Sequence, residues 1–115
     1  MKRGDVYWVD LVPGSGSEQT GRRPSIIMSH DGFNLNPRWQ SLIVVPLSTS
    51  NAQANLGPTV VRIPKGMAGL SKECSALGHQ VTTVDRSKVK QKIGTLSAAL
   101  LLEVDEALKA TLDLN

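Results

Sequence analysis

The sequence predicts a mainly β (α+β) fold, a small barrel or two packed sheets followed by one C-terminal amphipathic helix. Three observations predict it. Short runs rich in β-branched and aromatic residues recur at close spacing between turn signals. After Ser97 the apolar residues change to three-and-four spacing. Finally, 115 residues of ordinary composition, 40% hydrophobic and 20% charged, leave room for one core. Residues 1–115 therefore read as a single domain.

The first strand is Val6 to Leu11, closed by Pro13-Gly14. A polar loop from Ser15 to Arg23 leads through Pro24 to a second strand, Ser25 to Met28. Leu42 to Val45, stopped by Pro46, is a third. Between them, His30 to Gln40 contains Asn34, Asn36 and Pro37 and reads as a loop or a short helical turn. The turn Leu56-Gly57-Pro58 introduces a fourth strand, Thr59 to Ile63, ended by Pro64. Ser75-Ala76-Leu77 and Gln80 to Val84 supply one more, bent strand with a glycine bulge at Gly78. Ser97 can cap a helix of about four turns whose stripe is Leu101, Val104, Leu108 and Leu112.

Charge is unevenly spread. Residues 1–92 carry 12 Lys and Arg against 6 Asp and Glu, whereas residues 93–115 carry 1 against 4. A basic body of this kind favours polyanions, either nucleic acid or a disordered acidic partner. Aromatic residues are scarce, Tyr7, Trp8, Phe33 and Trp39 only, which argues against a surface built from many stacked rings. Trp39 beside Arg38 either stacks a base or pins its loop to the body. The lone Cys74 excludes an intramolecular disulfide and fits a reducing cytosol, and without a neighbouring histidine it reads as a small buried side chain. His30 and His79 lack ligand spacing, so no metal site is expected. The charged start, Met1 to Asp5, and the lack of a run near the roughly 18 apolar residues of a membrane helix point to a cytoplasmic protein with no membrane partner.

The densest polar segment is the loop Gly14 to Pro24, which gathers Glu18, Gln19, Thr20, Arg22 and Arg23. The lysine and hydroxyl of a P-loop are missing, and a strand follows instead of a helix, so it is not a triphosphate loop. Arginine suits a phosphodiester because its planar fork donates two parallel hydrogen bonds and keeps its charge. Arg23 is the better placed of the pair, since Pro24 holds its backbone extended; Arg22 points the other way. The alternative is that both are solvated, with a salt bridge to Glu18. Ser48, Thr49 and Ser50 follow the third strand, either as turn residues bonded to their own backbone or as ligands at a barrel mouth. His79 beside Gln80 is either an acid or base or a structural histidine.

Taken together, Arg3-Gly4-Asp5-Val6-Tyr7-Trp8-Val9-Asp10-Leu11, Pro13, Gly16-Ser17-Glu18-Gln19, Gly21-Arg22-Arg23-Pro24, Phe33-Asn34, Val44-Val45-Pro46-Leu47-Ser48 and Gln80-Val81-Thr82-Thr83-Val84-Asp85 resemble, in order and spacing, the MazF/PemK toxins. The resemblance spans about residues 2–112. It implies an SH3-like β barrel of the CcdB/PemK/MazF type with a C-terminal helix, a homodimer, and metal-independent, cofactor-free cleavage of single-stranded mRNA at short sequences. It also implies neutralisation by a cognate antitoxin that is acidic and partly disordered. Members of the family attack the scissile phosphate with the ribose 2′-hydroxyl, leaving a 2′,3′-cyclic phosphate and a 5′-hydroxyl. Carried over, Arg23 binds that phosphate, Ser48 stands where threonine is common, and Glu18 is the base or the orienter of Arg23. Gln19, Thr20, Arg22, Thr49, His79, Gln80 and Thr82 form the expected RNA-binding set. His79 replaces an acid and Thr82 a base of the family pattern, which alters the base-reading surface. The competing class is a toxin-fold protein that acts by binding only, as a CcdB-like gyrase poison or an RNA or antitoxin binder.

Overall fold

The computed structural model describes residues 1–11, 16, 18–50, 52 and 57–115. Among the described residues are seven antiparallel strands and two α-helices, with short 3-10 turns between them: β1 (Asp5–Leu11), β2 (Gly21–Ile27), α1 (Asp31–Asn34), β3 (Ser41–Ser48), β4 (Val60–Ile63), β5 (Cys74–Leu77), β6 (Thr82–Asp85), β7 (Val89–Thr95) and α2 (Ala98–Leu112). The strand order is β4-β5-β3-β2-β1-β7, with β6 branching from β3. The sheet curls like a barrel, and among the described residues it stays open between β4 and β7.

β3 organises this curl. Its first half pairs with β6, from Ser41 opposite Asp85 to Val44 opposite Thr82, and its end pairs with β5, where Leu47 and Ser48 face Ala76 and Ser75. Val45 and Pro46 fall between the two partners. The missing N–H of Pro46 therefore costs no ladder bond on that side, which is why the strand runs through the proline that was expected to stop it. The expected single bent strand is two strands, β5 and β6, joined by a 3-10 turn at Gly78–Gln80.

Alternation along the strands sorts apolar side chains into two clusters. Val6, Ile26, Val45 and Leu47 join Val61, Ile63, Val104 and Ala107 under α2. Val9, Leu11, Ile27, Leu42, Val44 and Val84 fill the other face. Ser97 caps α2, its hydroxyl accepting from the Leu100 N–H at 3.2 Å. The expected stripe is corrected at its end: Val104 is buried, Leu101 and Leu108 partly so, but Leu112 is exposed, and Ala107 takes the buried place. Ala107 lies against Gly78, where a Cβ would meet the Thr59 carbonyl oxygen at 2.8 Å and the Ala107 Cβ at 3.3 Å.

Two further boundaries differ from the sequence reading. β2 begins at Gly21, within the segment read as loop, because Gly21 to Pro24 pair with Leu11 to Trp8 of β1. β7 was not expected at all. Its Lys90 and Lys92 hide the alternation, as befits an edge strand that water covers. The expected turn at Pro13-Gly14, with Ser15, Ser17, Asn51 and Leu56, lies outside the described residues.

The opening Arg3-Gly4-Asp5 is a structural clamp. Arg3 Nη1 and Nη2 donate to the two carboxylate oxygens of Asp105 at 2.8 and 2.7 Å. Gly4 adopts a φ of 94°, and a Cβ there would press on Leu101 at 3.0 Å. Buried Asp5 accepts from the Lys2 N–H and the Thr95 hydroxyl, fastening β1 to β7.

Candidate functional site

An open cleft of about 440 Å³ lies at one end of the β1-β2-β3-β6 face. Glu18 and Gln19 of the β1–β2 connection form one side, and His79 to Val84 of the 3-10 turn and β6 the other. Leu11 and Pro46 add apolar surface. The two sides are tied directly: the Gln80 side-chain oxygen accepts the Gln19 backbone N–H at 2.8 Å. The turn is itself held, since His79 Nδ1 and the Thr59 hydroxyl are 3.0 Å apart and the Val81 N–H donates to the Gly78 carbonyl.

Arg23 reaches this region from β2. Cross-strand partners share a face, so Arg23, opposite Val9, lies with Ser25, and through Ser25 opposite Pro46 with Pro46 and Ser48. Thr82, opposite Val44, belongs to the same face. Arg23 is exposed, and its Nε donates to the Thr20 carbonyl at 3.0 Å. Ser48 is buried, and its hydroxyl oxygen accepts from the Ser50 N–H at 3.1 Å, a self-bonded turn that still leaves the hydroxyl hydrogen to donate. Thr49 beside it is exposed.

Of the expected set, the cleft lining gathers Glu18, Gln19, His79, Gln80 and Thr82, while Thr20, Arg22, Arg23, Ser48 and Thr49 lie outside it. Arg22 sits on the opposite face, with Nε donating to Asp10 at 2.8 Å; this ion pair holds the Asp10 carboxyl below the usual range. The salt bridge weighed for the arginine pair is thus made by Asp10, not Glu18. Among the described residues Glu18 has no ion pair. Trp39 lies away from the cleft, stacked on Phe33 with ring centroids 4.5 Å apart and its indole N–H bonded to the Ser41 carbonyl. Arg86 binds the carbonyls of Phe33, Asn34, Asn36 and Trp39, so this loop is pinned, although both rings stay 43% exposed. Burial pushes the Cys74 thiol up, which keeps it in the unreactive form. Among the described residues no group of three or more His, Cys, Asp or Glu is assembled to hold a metal ion.

Comparison with known proteins supplies what geometry alone does not. Residues 2–112 match the family described as PemK-like, MazF-like toxin of type II toxin-antitoxin system. The chain belongs to the MazF/PemK toxin family. It is 37% identical over 115 residues to Endoribonuclease MazF of Staphylococcus epidermidis, covering the whole of this chain and 93% of that relative. The crystal structure of MazF from Deinococcus radiodurans superposes with a TM-score of 0.81 at 25% identity, covering 99% of this chain and 97% of that one. A mycobacterial endoribonuclease in complex with its cognate antitoxin gives a TM-score of 0.77 at 22% identity, over 100% and 97% of the two chains.

Within this MazF-like fold, the site residues expected from sequence leave out several participants, Leu11, Thr83 and Thr59 among them. Leu11 and Thr83 line the cleft, and Thr59 holds His79. No motif marks Thr59, because its partner lies 20 positions away. Leu11 and Thr83 follow only once the strand register is known.

Proposed function

We propose that this toxin is a sequence-specific endoribonuclease of single-stranded mRNA that works as a cytoplasmic homodimer without a metal ion and is neutralised by an acidic, partly disordered antitoxin. The observation that carries the reading is the family match over residues 2–112, a span that contains Glu18, Arg23 and Ser48. In the proposed reaction the ribose 2′-oxygen bonds to the adjacent phosphorus as its proton leaves to a base. The bond from phosphorus to the 5′-oxygen then breaks, and that oxygen takes up a proton. Products are a 2′,3′-cyclic phosphate and a 5′-hydroxyl.

The attack and the charge that develops on the phosphate ask for groups that this chain offers. Arg23, whose Nε is engaged by Thr20, keeps its terminal nitrogens to bind the crowded phosphorane, where negative charge develops. The Ser48 hydroxyl, its oxygen already oriented by the Ser50 N–H, donates to a phosphate oxygen. Glu18, lining the cleft, takes the 2′-proton or orients Arg23. Gln19, Thr20, Arg22, Thr49, His79, Gln80 and Thr82 are the proposed RNA contacts. No helix of the described chain is long and apolar enough to cross a membrane.

The test is a long RNA incubated with antitoxin-free protein in EDTA, with both product ends mapped. Cleavage at a recurring short sequence with cyclic-phosphate ends is expected, and Arg23→Ala should abolish it, by about 100-fold or more. Intact RNA at high protein concentration overturns the reading, and gyrase-dependent DNA breaks in its place would establish the binding-only class.

A further inference from the structure

The segment Glu18 to Thr20 is held at two points, one by a residue distant in sequence and one by a near neighbour. Gln80 Oε1 accepts the Gln19 N–H at 2.8 Å across 61 positions of sequence, and Arg23 Nε donates to the Thr20 carbonyl. The turn behind Gln80 is packed and bonded to its surroundings. Gly78 of the same turn packs against the Thr59 carbonyl and Ala107 of α2, and His79 is bonded to Thr59. A loop tied to such a support keeps its side chains in one place over the cleft, and an untied one spends part of its time elsewhere.

We propose that Gln80 is a positioning residue: through its side-chain carbonyl it fixes the main chain at Gln19 and so sets where the Glu18 carboxylate stands beside the scissile phosphate. This rests on the endoribonuclease reading and assigns Gln80 a role toward the protein's own backbone besides its proposed contact with RNA. The requirement is for an acceptor oxygen at this position. Glutamate supplies one, and leucine of similar size does not. Displacing a reacting group by about 1 Å costs up to about 100-fold in rate, so the signature falls on kcat.

The experiment compares full-length wild type, Gln80→Leu and Gln80→Glu on a single-stranded RNA carrying one mapped cleavage site. Steady-state kinetics are read together with hydrogen exchange at the Gln19 amide. In Gln80→Leu, Gln19 exchange should rise about 5- to 10-fold, the worth of one ordinary hydrogen bond. kcat should fall about 10- to 100-fold, by more than KM rises. Gln80→Glu should restore Gln19 protection and recover most of the lost kcat, whatever its charge does to KM. Unfolding midpoints close to wild type show that the variants fold. Replacing the donor in Gln19→Pro breaks the same bond from the other side, and its effect on kcat should not add to that of Gln80→Leu. Unchanged Gln19 exchange in Gln80→Leu overturns the proposal. So does an equal loss in both Gln80 variants that appears in KM with Gln19 still protected, since Gln80 would then be a contact for RNA alone. If the wild type leaves RNA intact, the endoribonuclease reading fails, and Gln19 exchange still decides whether Gln80 holds the segment.

Discussion

Ser48 shows how a residue that looks like ordinary turn chemistry can serve the proposed reaction. Its oxygen accepts from the Ser50 N–H, which fixes the hydroxyl, and its hydrogen remains for a phosphate. Ser48→Ala removes that donor and is expected to lower single-turnover cleavage about 100-fold, whereas Ser48→Thr keeps it and should stay within about threefold. Equal rates for serine and alanine would remove Ser48 from the mechanism. The identity of such residues was legible in the sequence only through the family resemblance, because a hydroxyl after a buried strand is the commonest of turn features. Gln19 and Gln80 were both named from sequence, but the bond between them was not, since nothing in their spacing links a loop to a turn 61 positions later.

Elements are legible in the sequence where burial sets the pattern and obscure where it does not. β1 is rich in β-branched and aromatic residues, the core of β3 is a continuous apolar run and α2 has three-and-four spacing, and each is legible in the sequence. Gly21-Arg22-Arg23-Pro24 reads as loop by composition, yet becomes strand because β1 offers a complete ladder beside it. β7 is an edge strand whose lysines face water, so its sequence lacks the signal that marks an interior strand. The 3-10 turn between β5 and β6 is the element on which the cleft most depends, because it is wedged between Thr59 and α2. Gly78→Ala should displace it and destabilise the fold by about 1–3 kcal/mol, measured as a shift in denaturant midpoint. A midpoint unchanged from wild type would mean that α2 yields to the added methyl at no cost.

At the scale of the whole molecule, charge couples the fold to pH. The Arg3 N–H, at 2.7 Å, and the Asn34 amide hold the Asp31 carboxyl below the usual carboxylate range. Arg22 does the same for Asp10, and Ser87 for Asp85. In this range the folded protein binds fewer protons than the unfolded chain, so this stability is present above about pH 4 and is lost as pH falls through the depressed values. Asp31→Asn should therefore flatten the acid side of the stability curve, read from denaturant midpoints between about pH 2.5 and 6. A curve parallel to wild type would show that Asp31 titrates alike in both states. The basic body and acidic last segment were visible in composition, and the structure joins them, since Arg3 and Asp105 belong to opposite sides of that division.

That junction also bears on how the protein is made. A ribosome delivers Arg3 and β1 first, but the outer neighbour of β1 is β7 and the partner of Arg3 is Asp105 on the final helix. A nascent chain can therefore pair β1 with β2 early and still cannot close its clamp until Asp105 has emerged. For a protein proposed to destroy messenger RNA, the order of synthesis thus keeps the native fold incomplete while its own message is still being read.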